Sequence, residues 1–107
     1  MKVTPETAVL HECMLAASAC GCRVWRNNTG VLIDRTGRPV RYGLCVGSAD
    51  IIGLTSTGRF VAIECKAKNG RTTPEQENFL ARVVEFGGIG IVARCGQDVT
   101  DAINTAP

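Results

Sequence analysis

Three charged side chains punctuate the most apolar part of this sequence. The stretch Gly47-Ser-Ala-Asp-Ile-Ile-Gly-Leu54 passes through a short link, Thr55-Ser-Thr-Gly58, into Arg59-Phe-Val-Ala-Ile-Glu-Cys-Lys66. Two apolar runs rich in branched residues and joined by a Gly-containing link read as a β-hairpin. Side chains alternate faces along a strand, so Glu64 and Lys66 share a face with Phe60 and Ala62, while Val61, Ile63 and Cys65 take the other. In an antiparallel hairpin the start of one strand lies beside the end of the other. Asp50 therefore meets Glu64 and Lys66 at one end of a buried sheet. Two carboxylates ~4 Å apart repel by about 4 kcal/mol at an effective dielectric of about 20. The residues allow two ways to offset this. Lys66 can form a buried ion pair and leave one acid over. A divalent cation can also do it, since Mg²⁺ takes a few carboxylates and keeps waters for a phosphate group. Buried ion clusters are weak sources of stability, and on the residues alone the two readings stand level.

Asp50 followed after a hairpin by Glu64-Cys65-Lys66 resembles the PD-(D/E)xK nuclease pattern. The tripeptide is weak evidence by itself, but its context is specific. Arg26-Asn-Asn-Thr-Gly30, Gly47-Ser-Ala-Asp-Ile-Ile-Gly53, Ile63-Glu-Cys-Lys66 and Thr73-Pro-Glu-Gln-Glu-Asn-Phe79 occur in this order. Together they resemble the stand-alone virus-type replication–repair nuclease (VRR-NUC) domain, a branch of that superfamily, over residues 4–100. One departure is Ala49, which stands where the superfamily signature has proline.

The resemblance implies an α/β fold, a restriction-endonuclease-like mixed β-sheet flanked by helices in the order αβββαβ. It implies metal-dependent, structure-specific hydrolysis of DNA phosphodiesters with Mg²⁺ or Mn²⁺. Asp50, Glu64 and the backbone carbonyl of Cys65 would be the metal ligands, with Glu12 joining through a water. Lys66 would orient the attacking water or offset charge in the transition state. Gln76 matches a glutamine that approaches the active site, and Arg26 and Asn27 match a substrate-contacting motif. Stand-alone members are implied to act as homodimers on branched DNA such as four-way (Holliday) junctions. The alternatives are a monomeric nicking or flap endonuclease, a non-catalytic DNA-binding module on a nuclease fold, and an unrelated α/β protein with a chance E-x-K.

The elements that must position these residues can be read in order. Thr4 can cap a helix over residues 5–20, with Pro5 in its first turn and Gly21 ending it. Ala8, Glu12, Leu15, Ala16 and Ala19 fall on one face by their spacing. Glu12 then sits within an apolar stripe, where a carboxylate must be neutral, paired or metal-linked, unless it reaches water at the stripe's edge. Residues 22–27 read as a strand, with Trp25 expected in the core. The region through residue 44 reads as turns and short strands forming an arginine-rich flap. After Lys66 comes a polar basic loop whose Lys68 and Arg71 are expected to contact the DNA backbone. Thr73-Pro-Glu-Gln76 opens a second helix with a T-x-x-Q capping box, which explains Gln76 without any role in a site; both roles stay open. Residues 90–94 read as a strand, expected to be central, and residues 97–104 as a short last helix.

At 107 residues the expectation is one domain over residues 1–107, with one core of aliphatic residues and cysteine. No apolar run approaches a membrane span, and the basic-then-apolar pattern of a secretory signal is absent. The expectation is a soluble cytoplasmic protein of a bacterial or phage-infected cell. Six cysteines without a C-x-x-C pair, beside a lone His11, read as small buried hydrophobes rather than disulfides or zinc ligands. Net charge is only +2, but Arg23, Arg26, Arg35, Arg38 and Arg41 face a single acid, Asp34, between residues 23 and 41. Such local excess suits a phosphate backbone; scattered solvated arginines would look the same.

Overall fold

A computed structural model describes residues 3–107. Helix α1 spans Pro5–Ala19, then β1 Arg23–Arg26, β2 Gly30–Ile33, β3 Pro39–Tyr42, β4 Ile51–Leu54, β5 Phe60–Cys65, α2 Pro74–Glu85, β6 Ile89–Ala93 and α3 Gly96–Thr105. Four strands form the main sheet in the order β1-β4-β5-β6. Its first three strands are antiparallel, and β6 runs parallel to β5. Strands β2 and β3 form a separate two-stranded ribbon. Without that ribbon and α3, the chain order is the expected αβββαβ, a mixed sheet flanked by helices.

The helix ends follow local chemistry. The Thr4 hydroxyl accepts the Thr7 N–H at 3.1 Å, with Pro5 opening α1. Thr73 and Gln76 form the full capping box of α2, with Pro74 at its first position. The core lies mainly between one sheet face and the pair α1 and α3. Leu10, Cys13 and Ala17 of α1 meet Ile51, Val61, Ile63, Cys65 and Ile91 there. The other face is covered by α2, which packs on β5 and β6. Leu80 meets Ala62 and Ala49 on that side.

Two expectations are corrected. Strand β6 is not central; it is the sheet's edge and pairs only with β5. Its apolar character comes from one buried face, where Ile89, Ile91 and Ala93 join the core, while α2 covers the other in part and leaves Val92 exposed. Trp25 is not core: it is 51% exposed. It sits on the other edge strand, on the face that α2 covers only at β5 and β6.

All six cysteines are free thiols; Cys13, Cys22 and Cys65 are buried, and Cys45 is exposed. Among the described residues no helix is long and apolar enough to cross a membrane.

Candidate active site

The β4–β5 hairpin places the carboxylates. Ile51 pairs with Ile63, so one further step along the register sets Asp50 beside Glu64. The Cys65 N–H donates to Asp50 Oδ2 at 2.9 Å, which fixes the carboxylate against the end of β5. The backbone of Asp50 is fixed as well, its carbonyl accepting the Asn27 N–H at 2.7 Å. The loop leading to Asp50 lies against the first turn of α2. Gly47 allows this: its φ is +84°, and a Cβ there would come within 2.6 Å of the Glu75 backbone.

Glu64 is the one charged residue of the described chain that is fully buried, at 2% exposure. Its carboxyl is pushed up to about 8, first by burial and then by the neighbouring Asp50, with Lys66 pulling weakly the other way. Oε1 accepts the side-chain amide of Gln76 at 3.0 Å, and Oε2 is buried with no hydrogen-bond partner. A buried polar atom left unpaired costs about 1–3 kcal/mol. Lys66 does not relieve the pair by contact. Among the described residues the one ion pair is the surface pair Arg82–Glu85, and Lys66 makes no direct ion pair with Asp50 or Glu64.

Gln76 makes two contacts at once. Its Oε1 accepts the Thr73 N–H at 2.9 Å, closing the capping box, while its Nε2 donates to Glu64. The two bonds also settle which way the amide points.

Glu12 is a correction. The buried stripe of α1 is Leu10, Cys13 and Ala17, and Leu15, expected on it, is 73% exposed. Glu12 lies exposed beside that stripe, and its Oε1 accepts the Gly96 N–H at 2.9 Å. It thereby supplies the cap that Cys95, which has no side-chain cap bond, does not give α3. The acid that α1 brings to the site is Glu6. It lines a small cleft of about 160 Å³ with Thr7, Leu10, Arg26 and Asp50, and its charge reaches Glu64. Glu6, Leu10, Cys13 and Ala17 also follow 3–4 spacing, one of the stripes that the residues of α1 allow.

Asn27 is a second correction. Both of its amide protons are spent inside the fold, on Ser48 Oγ at 2.8 Å and the Ala49 carbonyl at 2.9 Å. It clamps the loop that carries Asp50 and has no amide proton left for DNA. Arg26 is exposed at the mouth of the Asp50 cleft. Lys68 and Arg71 are exposed on the loop after β5. Arg94, absent from the expected set, braces that loop through the Ala67 carbonyl at 2.6 Å. The Cys65 thiol is pushed far up by its hydrogen bond to Cys13 and by burial, so it is no nucleophile.

The donor set suits a hard cation. Asp50 and Glu64 offer oxygen only, and Glu64 Oε2 is buried with no donor from the rest of the described residues. Among the described residues no three His, Cys, Asp or Glu side chains group as a metal cluster. The two carboxylates are the oxygen donors the structure brings together here, a set that suits a cation keeping much of its water.

A family model described as "VRR-NUC domain" matches residues 34–96. A solved structure titled "VRR_NUC domain" is similar in fold, with a TM-score of 0.65 at 20% identity, covering 98% of this chain and 100% of that one. No curated protein matches the sequence.

Proposed function

The chain belongs to the VRR-NUC domain family of nucleases, and from that premise we propose that it is a metal-dependent endonuclease hydrolysing DNA phosphodiesters, with branched DNA such as four-way junctions as its substrate. The observation that carries the reading is Glu64, buried beside Asp50 with one oxygen unpartnered. Such a group is costly in a protein that leaves it so, and a cation removes the cost.

Asp50, Glu64 and the Cys65 carbonyl are the residues that would hold Mg²⁺ or Mn²⁺. Bound there, the ion lowers the pKa of a water and offsets charge on the phosphate. The rest is the work of the chain. Gln76 holds Glu64 in one orientation, and Asn27 and the Cys65 N–H hold Asp50. Lys66, half-buried and not consumed by an ion pair, offsets negative charge as it develops on the phosphate and orients the attacking water. Arg26, Lys68 and Arg71 hold flanking phosphates, contacts that position a substrate without reading its sequence. Glu6 takes the place of the first-helix acid. Two copies of the chain, each cutting one strand, suit the two-fold symmetry of a junction.

The test is cleavage of a four-way junction, a flap, a single strand and a duplex of matched sequence, with Mg²⁺ and with Mn²⁺. Asp50→Asn and Lys66→Ala run alongside. Paired symmetric cuts in the junction, reduced about 100-fold or more in both variants, support the reading. A folded protein that binds DNA and cuts none of the four overturns it in favour of a binding module.

A further inference from the structure

The loop that follows β5 is basic and contains no acid. Lys66-Ala-Lys-Asn-Gly-Arg-Thr-Thr73 carries Lys66, Lys68 and Arg71, and none of the three is ion-paired among the described residues. Lys68, Asn69 and Arg71 are exposed. A polar run of this kind has no apolar anchor of its own. Left free, its cations would have to be ordered at each encounter with a phosphate, at a cost in affinity. The loop nonetheless has a definite path. The Gly70 N–H closes a turn on the Ala67 carbonyl at 2.9 Å. At the far end the Thr72 hydroxyl donates to Glu77 Oε2 at 3.2 Å.

The near end is held by residues distant in sequence. The Lys66 N–H donates to the Ala93 carbonyl at 3.0 Å, so Arg94 leaves β6 where Ala67 leaves β5. Arg94 Nη1 donates to the Ala67 carbonyl at 2.6 Å and, more weakly, to the Lys68 carbonyl at 3.4 Å. Among the described residues no other element hydrogen-bonds to residues 67–71. Arg94 is itself fixed: its N–H donates at 2.8 Å to Asp98 Oδ2, in the first turn of α3. The planar guanidinium is a pre-organised fork that loses little freedom in making such bonds. A line of contacts thus runs from α3, which lies outside the αβββαβ core, through Arg94 to the residue after Lys66.

From this we infer that Arg94 is a positioning residue for DNA: held by α3, it fixes the Ala67–Lys68 backbone and so aims Lys68 and Arg71 at the phosphates beside the cut. The inference rests on the nuclease reading above and adds what places its backbone contacts. Arg94 acts through the loop and touches no reacting atom. Asp50 and Glu64 are held by other bonds, so the brace governs binding rather than the chemical step. The loop is ordered once, on folding, instead of at each encounter with substrate.

The test is a double-mutant cycle on the full chain, built from Arg94→Ala and the pair Lys68→Ala/Arg71→Ala. Binding of a labelled four-way junction and a labelled duplex is read by fluorescence anisotropy in metal-free buffer, and cleavage is read with Mg²⁺ and with Mn²⁺. Arg94→Ala is expected to weaken binding and to raise KM by about 10-fold, with kcat within about 2-fold of wild type. In the Lys68→Ala/Arg71→Ala background the same change is expected to cost less than about 2-fold, because the cations it aims are gone. Equal losses in both backgrounds, or a fall in kcat with KM unchanged, overturn the proposal. Amide exchange on the wild type tests the brace even if a variant misfolds. The Gly70 amide is expected to be protected, and in Arg94→Ala to lose that protection while the Lys66 amide keeps its own. A wild-type Gly70 amide that exchanges as in an unfolded chain overturns the proposal. The two readings fail separately. A chain that cuts DNA with additive losses removes only the brace, whereas one that binds DNA with the expected coupling and cuts nothing removes only the nuclease.

Discussion

Two hairpins in this chain are built from similar residues and end in opposite environments. In β4–β5, Ile51, Val61, Ala62 and Ile63 are wholly buried, with β1 and β6 on the two edges and helices on both faces. In β2–β3, Val31, Leu32, Ile33 and Val40 are just as apolar and all exposed, because among the described residues no further strand pairs with the ribbon. Each hairpin also carries a carboxylate, and the two titrate in opposite directions. Glu64 is pushed up to about 8 by burial and by Asp50. Asp34 is held below its ordinary range by the Arg38 N–H, the Thr36 hydroxyl and further backbone donors. The difference lies in the surroundings. Where water is excluded and a like charge is near, the proton is kept; where donors converge in solvent, it is lost.

The contrast can be tested from its largest effect downward. Ile63→Ala opens a cavity in the covered hairpin and is expected to cost about 2–5 kcal/mol. Leu32→Ala on the ribbon is expected to change the stability of the single chain by no more than about 0.5 kcal/mol. Urea unfolding of the two variants at low protein concentration checks both. Equal losses would show that the ribbon is packed in the single chain.

The next effect is a pH slope. A carboxyl whose folded pKa is raised binds more protons folded than unfolded, so it contributes stability at low pH that is lost as pH rises. For Glu64 that window runs from the ordinary carboxylate range up to about 8. In metal-free buffer the melting temperature is therefore expected to fall across this window. Glu64→Gln, which cannot ionise, is expected to flatten the slope. A slope that survives in the variant would assign it elsewhere.

The smallest effect belongs to Asp34. Its bonds lie at the tip of an exposed ribbon. Asp34→Ala is expected to quicken amide exchange at Thr36 and Arg38 while leaving the melting temperature of the single chain unchanged. A clear fall in melting temperature would show that the tip supports more than itself.

Much of the site was legible in the order of residues. The alternation through Glu64-Cys65-Lys66, the turn at Thr55–Gly58 and the T-x-x-Q cap at Thr73 are short-range signals, and each element forms where they place it. The phase of α1 was not legible. Alanine at positions 8, 16, 17 and 19 gives little contrast between the faces of that helix, so the spacing fits more than one stripe. Only packing against Ile63 and Cys65 turned Leu10, Cys13 and Ala17 inward. That rotation brought Glu6 rather than Glu12 to Asp50.

By itself, then, the sequence determined the hairpin, the caps, the meeting of Asp50 with Glu64, and membership of a nuclease family, because turns, caps and strand alternation depend on neighbours a few residues away. Tertiary structure decided the rest. It spent the Asn27 amide on the Asp50 loop, gave Gln76 two partners, left Trp25 and the ribbon uncovered, and set β6 at an edge. The physical reason is that a polar side chain's partner, and an apolar one's cover, come from segments distant in sequence. Their arrival depends on which face each helix can reach.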